Sequence, residues 1–313
     1  MRPTYLMSPP RLDWSVEGKA NFRSRQADRV DPGRARMEWC TLADAIVDAG
    51  GEVLVCPPNP KRKLTGMVYT AEAGEYYRTD EGEGRFILPN MKPKHRRREA
   101  DWIGGFVEGL GIPTESVEST WEAQGDAIRG RDADEIVFTY GEGADARSDR
   151  NACEEVARRI DADSICLQFN ADPWFHGNTF LNIYRALNPD RDPPGVALVC
   201  PEALPDDQYA KLAEFLDDFE IVEISRRESL AYDTNSLQVT DTVLAPAQLS
   251  ETASRAFRRL GLKVVTIALG ELFDKGGGAP VCLTNRLWGL DPDQLPDHAK
   301  WSHASHVEAH TGM

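Results

Sequence analysis

Short apolar segments of strand length recur along residues 1–290, and this rhythm limits the folds open to the chain. Many of the segments come in pairs, and a helix follows each pair. Alternating strands and helices are typical of α/β proteins, although the hairpins mixed into the pattern distinguish it from a regular βαβ series. The rhythm indicates several copies of one supersecondary unit, whose residues do not visibly repeat.

Periodicity and the positions of glycine and proline predict the individual elements. Helices are predicted at 34–49, 95–109, 149–161, 206–217 and 248–261, with a short helical turn at 21–26. Strands are predicted at 3–10, 52–56, 67–71, 85–88, 134–140, 164–169, 178–184, 196–199, 220–224, 235–239, 242–245 and 263–267, and around Cys282. Because no low-complexity linker interrupts residues 1–288, we predict a single α/β domain over 1–290 and a polar tail over 291–313.

The composition narrows the partners and the compartment. The 313 residues carry a net charge of −15, which argues against nucleic acid or an anionic membrane as a partner. We expect neither a signal peptide nor a membrane span, because no apolar run is long enough. Six scattered cysteines without a C-x-x-C pair predict reduced thiols and a cytoplasmic location. Self-association into a homo-oligomer stays open.

A run of three glycines at 276–278 precedes Cys282. Glycine permits positive φ and lets the backbone approach a ligand closely. A thiol just beyond such a turn lies where a nucleophile is needed. The alternative is that Cys282 is a small buried hydrophobic residue, as most free cysteines are.

Residues elsewhere in the chain could activate such a thiol. His95 and His176 are the two histidines outside the last sixteen residues. His176 lies between aromatic residues and a glycine, and is either a hydrogen-bonded core residue or a base for the thiol. Glu122 and Asp126 bracket a turn of small residues. Either both are solvated, or one orients His176 and the other accepts from a cationic ligand.

Other charged residues also have two interpretations. Glu72, at the end of an apolar segment, is either solvated or anchors a guanidinium through paired hydrogen bonds. Arg147 precedes a predicted helix and could bind a substrate carboxylate. Arg96 and Arg97 are expected to be exposed at the start of a helix.

The last segment is rich in histidine. On a helix, His303, His306 and His310 would share one face and could bind a metal. Histidines in polar tails are mostly incidental, so we predict no metal site.

Short motifs follow one another in a fixed order along the chain. They are Tyr-Thr-Ala-Glu-Ala-Gly at 69–74, Arg-x-x-Glu at 96–99, Glu-x-x-Gly-Asp at 122–126, Arg-Ser-Asp at 147–149, Trp-Phe-His-Gly-Asn-Thr at 174–179, Pro-Glu-Ala-Leu at 201–204, Asp-Thr-Asn-Ser-Leu at 233–237 and Gly-Gly-Gly-x-x-x-Cys-Leu-Thr-x-x-Leu at 276–287. Each motif is weak alone, but the ordered set resembles the guanidine-modifying (pentein) superfamily over nearly the whole chain. The dimethylarginine dimethylaminohydrolase and arginine dihydrolase branch is the most similar.

The resemblance implies a five-bladed α/β propeller, the pentein fold, in which ββαβ-like units surround a polar channel. It implies that Cys282 is the nucleophile, His176 the general acid and base, and Glu122 the carboxylate that orients His176. Cys282 would attack the guanidinium carbon of a small cationic substrate, and His176 would protonate the amine or ammonia that leaves. Neither a metal nor an organic cofactor is implied, because carboxylates hold the cation.

Two positions depart from the family's motifs. The family's aspartate after the histidine, which grips the guanidinium, is Asn178 here, and Glu72 stands where the family has Asn or Asp. Either one longer carboxylate replaces the one lost, or the substrate differs from free arginine. The other residues expected to contact the substrate are Asp126, Arg147, Arg98, Asn21 and Asn235.

Three functions are compatible with these residues. The first is hydrolysis of a C–N bond at a guanidino or amidino carbon, which the chain length favours. The second is transfer of the amidino group to an amine, as in the amidinotransferases. The third is a non-catalytic pentein fold that binds a partner, which the presence of Cys282, His176 and Glu122 disfavours.

Overall fold

A computed structural model describes residues 2–16, 19, 21–130, 135–142, 146–188 and 190–302. The α-helices of this part of the chain are α1 (Phe22–Gln26), α2 (Pro32–Asp48), α3 (Arg97–Gly109), α4 (Arg150–Ile160), α5 (Asp206–Phe215), α6 (Arg226–Leu230) and α7 (Glu251–Arg259). Its strands are β1 (Thr4–Met7), β2 (Glu52–Val55), β3 (Glu75–Arg78), β4 (Gly84–Leu88), β5 (Thr114–Ser116), β6 (Ala127–Arg129), β7 (Glu135–Gly141), β8 (Asp163–Phe169), β9 (Leu181–Arg185), β10 (Gly195–Val199), β11 (Glu220–Glu223), β12 (Leu237–Val239), β13 (Thr242–Pro246), β14 (Lys263–Ile267) and β15 (Asn285–Arg286).

The described strands form five three-stranded sheets of one design. Their strand orders are β3-β4-β5, β6-β7-β8, β9-β10-β11, β12-β13-β14 and β15-β1-β2. In each sheet an antiparallel pair is followed by a helix and then by a third, parallel strand. The predicted α/β class and the predicted repetition of one unit are therefore confirmed, and five such units are what a five-bladed α/β propeller requires.

The last described strand completes the first sheet. β15 pairs antiparallel with β1, with Leu6 opposite Asn285 and Tyr5 opposite Arg286. The amide of Leu287 also donates to the carbonyl of Thr4 at 2.8 Å. The two ends of the domain are therefore fixed to each other in one sheet.

The middle strands β1, β10 and β13 lie in the core. β10 and β13 are buried along their whole length. β10 reads Gly-Val-Ala-Leu-Val, a continuous apolar run, as expected for a strand covered on both faces. The helices contribute single apolar stripes, and in α2 the stripe includes the fully buried Trp39, Leu42 and Ile46.

Two predicted strands are wrong, and both errors fall on turns. Residues 67–71 belong to two 3₁₀ turns, Thr65–Val68 and Thr70–Ala73, and the strand begins only at Glu75. Cys282 also lies in a turn, just before β15. The two turns bond to each other, because the amide of Ala71 donates to the carbonyl of Cys282 at 3.2 Å. Apolar residues are buried in such turns as they are in strands, so the pattern of burial does not separate the two.

The prediction that all six cysteines are reduced is also wrong. Cys153 of α4 and Cys166 of β8 form a disulfide. The fold packs this helix onto the next parallel strand, which brings together two cysteines 13 positions apart. Cys40, Cys56, Cys200 and Cys282 are free.

Part of the predicted tail packs on the domain. Leu295 and Ala299 belong to a hydrophobic cluster with Leu6, and the amide of Trp301 donates to the carbonyl of Val53 at 2.7 Å. Residues 303–313, which include the three histidines of the metal hypothesis, lie outside the described part, and the boundary at residue 290 stays a prediction. None of the described helices combines the length and hydrophobicity needed to cross a bilayer.

A buried carboxylate holds the segment that leads to the three glycines. Gly270–Lys275 is a π-helix, and its first turn packs against α2. Glu38 of α2 is buried, and its carboxylate accepts from the amides of Glu271 (2.9 Å) and Leu272 (3.0 Å). Free amides at the start of a helix need such an acceptor when water is excluded.

We expect Glu38→Ala to lower the free energy of unfolding by roughly 2–3 kcal/mol, because two buried amides lose a charged acceptor. Urea denaturation measures the change. Glu214→Ala, exposed on α5, is the matched control and should change the value by less than about 0.5 kcal/mol. Equal losses in the two variants would show that the carboxylate of Glu38 does not hold the π-helix.

Candidate active site

The turn that precedes the first strand of each sheet carries one or more of the candidate residues. In chain order these are Glu72 before β3, Glu122 before β6, His176 and Asn178 before β9, Asn235 before β12, and Cys282 before β15. Hydrogen bonds join neighbouring turns, and the hydroxyl of Thr234 donates to the carbonyl of Asn178 at 3.0 Å. The repeated unit therefore brings together residues that are distant in the sequence.

His176 is held between two carboxylates. Its Nε2 lies 2.8 Å from Oε2 of Glu122, and its Nδ1 lies 3.4 Å from Oε1 of Glu72. All three side chains are buried. A Cβ atom on Gly125 would lie 3.0 Å from the imidazole ring, so the glycine of the Glu-x-x-Gly-Asp motif makes room for the ring.

Glu122 is buried, and its surroundings favour the ionised form of its carboxylate. Burial raises its pKa, but the hydrogen bond and charge of His176, with the charges of Arg147 and Arg96, outweigh burial and hold the pKa below its usual value. Nη1 of Arg147 lies 3.6 Å from Oε2 of Glu122. Oε1 of Glu122 is buried and has no hydrogen-bond partner among the described residues.

Asp126 supports the turn of His176 from behind. Its carboxylate accepts from the amide of Gly177 (2.9 Å) and from the hydroxyls of Thr139 (2.8 Å) and Ser148 (2.6 Å). Burial raises its pKa in spite of these donors and the charge of His176. The structure thus places this predicted substrate contact inside the protein, where its oxygens are already bonded.

Cys282 is positioned by two asparagines. Nδ2 of Asn235 donates to the sulfur at 3.1 Å, and the amide of Cys282 donates to Oδ1 of Asn235 at 3.0 Å. Oδ1 of Asn178 lies 3.9 Å from the sulfur. Burial raises the pKa of Cys282 to about 11, although both asparagines, the amide of Ala279 and the charge of Arg96 lower it. At pH 7 only on the order of one thiol in 10⁴ is ionised.

Cys282 and His176 line the same cavity. Glu72, Arg147 and Asn21 also line it. Asn235 lies behind the sulfur, and Asn178 lines a separate cavity on the far side of the turns. Arg98 does not join the site, because its side chain is exposed on α3.

Arg96 is the residue that the sequence interpretation missed. It was expected to be exposed, but it is buried at the N-cap of α3 and lines the cavity. Its guanidinium pairs with Glu72, with Glu99 (2.7 Å) and with the carbonyl of Gly66 (3.0 Å). The Arg-x-x-Glu spacing could have indicated that Arg96 is buried, because a glutamate three residues later can accept a hydrogen bond from the arginine when both side chains turn inward.

One set of described residues has the spacing of metal ligands. One oxygen each from Glu72 and Glu122 and one nitrogen from His176 lie within 4.8 Å of one another. The Glu72 carboxylate is already neutralised by Arg96, so a cation there would compete with an existing ion pair. That no metal is used stays a prediction.

Known proteins resemble this chain over most of its length. The family described as N,N dimethylarginine dimethylhydrolase, eukaryotic, matches residues 17–288. The uncharacterized protein ZK1307.1 of Caenorhabditis elegans is 25% identical over 284 residues, which cover 90% of this chain and 92% of that protein.

Solved structures show the same fold. The N-terminal domain of ArgZ, an arginine dihydrolase from cyanobacteria, aligns with a TM-score of 0.78 and 22% identity over 91% of this chain and 98% of that chain. A dimethylarginine dimethylaminohydrolase aligns with a TM-score of 0.64 and 19% identity over 91% of this chain and 100% of that chain. The predicted resemblance to the pentein superfamily is confirmed.

We expect iodoacetamide to alkylate Cys282 slowly at pH 7 and about tenfold faster for each pH unit up to roughly pH 10, because only the thiolate reacts. Peptide mass spectrometry at timed quenches measures the rate. Asn235→Ala should slow the reaction at a given pH, because the thiolate loses a hydrogen-bond donor and its pKa rises further. Fast alkylation that does not change between pH 6 and 8 would mean that the resting sulfur is already a thiolate.

Proposed function

The chain belongs to the eukaryotic N,N dimethylarginine dimethylhydrolase family, and from this membership we propose that it hydrolyses a C–N bond at the guanidino carbon of an arginine-like substrate. The observation that carries the proposal is that Cys282 and His176 line one cavity, while the buried carboxylate of Glu122 bonds the imidazole. A thiol, an imidazole and an orienting carboxylate are the groups that covalent catalysis by cysteine requires.

The cavity suits a substrate with opposite charges at its two ends. The guanidinium would lie beside the sulfur and would share the carboxylate of Glu72, which lines the cavity, with Arg96. Arg147 lines the same cavity and would pair with the carboxylate of an amino-acid substrate. Asn21, which donates to the carbonyl of Gly276 at 3.0 Å, would contact the substrate at the cavity wall.

Because burial raises the pKa of Cys282, the substrate itself would help to activate the thiol. A planar cation beside the sulfur favours the thiolate, so the thiol gives its proton to His176 when the guanidinium arrives. The thiolate then attacks the guanidino carbon and forms a C–S bond. His176 protonates the leaving nitrogen, and the C–N bond breaks to release an amine or ammonia.

The second half of the reaction regenerates the free enzyme. His176, now neutral, takes a proton from a water molecule, and the oxygen attacks the carbon of the amidino-thioether. The C–O bond forms, the C–S bond breaks, and the thiolate of Cys282 is released. Glu122 holds the imidazole in one orientation through both steps and balances its positive charge.

Incubation with dimethylarginine and with arginine tests the proposal. We expect citrulline with dimethylamine from the first, and citrulline or ornithine with ammonia from the second, measured by mass spectrometry of the products. Cys282→Ser and His176→Ala should each lower kcat by about 10³-fold or more, because the nucleophile or its acid is lost. Cys40→Ser, which removes a half-buried thiol outside the cavity, should leave kcat unchanged.

The same assay separates the other functions. Formation of a guanidinylated amine when glycine or another amine is added would show amidino transfer in place of hydrolysis. A covalent adduct of substrate on Cys282, trapped by acid quench, would support the thioether route. Absence of every product, with all substrates bound, would favour a binding module.

Asn178 stands where the family has an aspartate, and restoring that aspartate tests its role in substrate binding. Asn178→Asp places a carboxylate near the sulfur, and we expect KM for a guanidino substrate to fall by about tenfold, because the cation gains a charged partner. The same charge disfavours the thiolate, so kcat should rise only at higher pH than in the wild type. Steady-state kinetics as a function of pH measures both effects. Asn188→Asp, exposed in a turn, is the control, and an unchanged KM in both variants would place the guanidinium away from residue 178.

A further inference from the structure

A second cavity lies behind the turns that carry the candidate active site. Its walls include residues of β6, β9, β12 and β15. Asn178 lines it, while Oδ1 of the same residue lies 3.9 Å from the sulfur of Cys282, which lines the first cavity. One layer of turns therefore separates the two spaces.

The walls of this cavity are basic, although the chain as a whole is acidic. Among the described residues, those that line it include Arg129, Arg185 and Arg286 but no aspartate or glutamate, whereas the chain carries a net charge of −15. The three guanidinium carbons converge on the ring of Trp288, at 5.8, 5.4 and 3.7 Å from its centroid. Like charges gathered in a partly buried space repel one another unless a counter-charge is present.

The contacts of the three arginines differ. Arg129 pairs with the fully buried carboxylate of Glu75, and Arg185 donates through Nε to the carbonyl of Gly130 at 3.1 Å. The guanidinium of Arg286 contacts the Trp288 ring, and no oxygen of the described residues accepts a hydrogen bond from it. Its donors adjoin the cavity.

We propose that this cavity binds a small oxyanion, held by Arg286 with the help of Arg185 and Arg129. The guanidinium fork matches the oxygens of phosphate or of a carboxylate and forms paired hydrogen bonds with them. An occupant of this charge supplies the acceptor that Arg286 lacks and offsets its positive charge, whereas the charge of Arg129 is already offset by Glu75. The site uses neither Cys282 nor His176, so it stands whether or not the proposed reaction is correct.

The site adjoins the turn of Glu122. The amide of Arg286 donates to Oε1 of Gln124 at 2.9 Å, and Nε2 of Gln124 donates back to the carbonyl of Arg286 at 2.9 Å. Gln124 follows Glu122 by two residues. A bound oxyanion would therefore stabilise the backbone of the turn that carries Glu122.

Thermal unfolding of the purified protein in phosphate, malonate or chloride, at one ionic strength, tests the site. We expect Tm to rise with the logarithm of phosphate concentration above that in chloride, as binding to the folded state requires. Malonate distinguishes a general oxyanion site from one that requires a tetrahedral anion. Arg286→Gln should weaken phosphate binding at least about tenfold. Arg255→Gln, exposed on α7, is the matched control and should bind as the wild type does.

Two further measurements keep the test decisive if Arg286→Gln does not fold. Arg185→Gln removes a second guanidinium from the same wall and should also weaken binding. Crystals of the wild type soaked in selenate should show the anomalous signal of selenium against Arg286. Equal Tm in phosphate and chloride, or selenate bound only elsewhere, would overturn the proposal.

Discussion

Pairing of the last strand with the first is the constraint on which the candidate site depends. β15 bonds to β1, and the turn before β15 carries Cys282. The thiol therefore reaches the cavity only when both ends of the domain have joined one sheet. Thr70 reinforces this junction, because its hydroxyl lies 2.9 Å from the carbonyls of both Leu6 and Leu283.

Charge compensation explains how three carboxylates near the site remain buried. The carboxylate of Glu72 is paired with Arg96, that of Glu122 with His176, and that of Glu75 with Arg129. Isolated charges at such depth would be lost by titration or would unfold the domain, so each is retained by a partner. The thiol of Cys282 has no charged partner at hydrogen-bonding distance in the described part, and this explains why burial dominates its pKa.

Much of the fold was predictable because side-chain periodicity reports burial. The repeated strand pairs and helices, such as β13 and α7, follow directly from apolar spacing. The turns before the strands were not predictable in the same way, because the residues around Glu72 and Cys282 are as apolar as strands and differ only in where their amides bond. Secondary structure there is decided by contacts between units, which periodicity does not contain.

The residues of the site were predictable to different degrees. Ordered motifs indicated Cys282, His176 and Glu72, which line the cavity, and Glu122, which bonds the imidazole. The same motifs did not show which carboxylate has a structural role. The carboxylate of Asp126 accepts three hydrogen bonds from within the protein. The pairing of distant cysteines was also beyond local patterns, because it depends on how a helix packs against a strand.

The placement of candidate residues on the turns of separate units has a consequence for how such a pocket can change. Each turn leads into the first strand of its own sheet. A replacement in one turn alters one wall while the others keep their geometry. Glu72 and Asn178 can thus depart from the family's motifs while Cys282 is retained. Ligand preference can change through the residues of one turn while the sheets keep their structure.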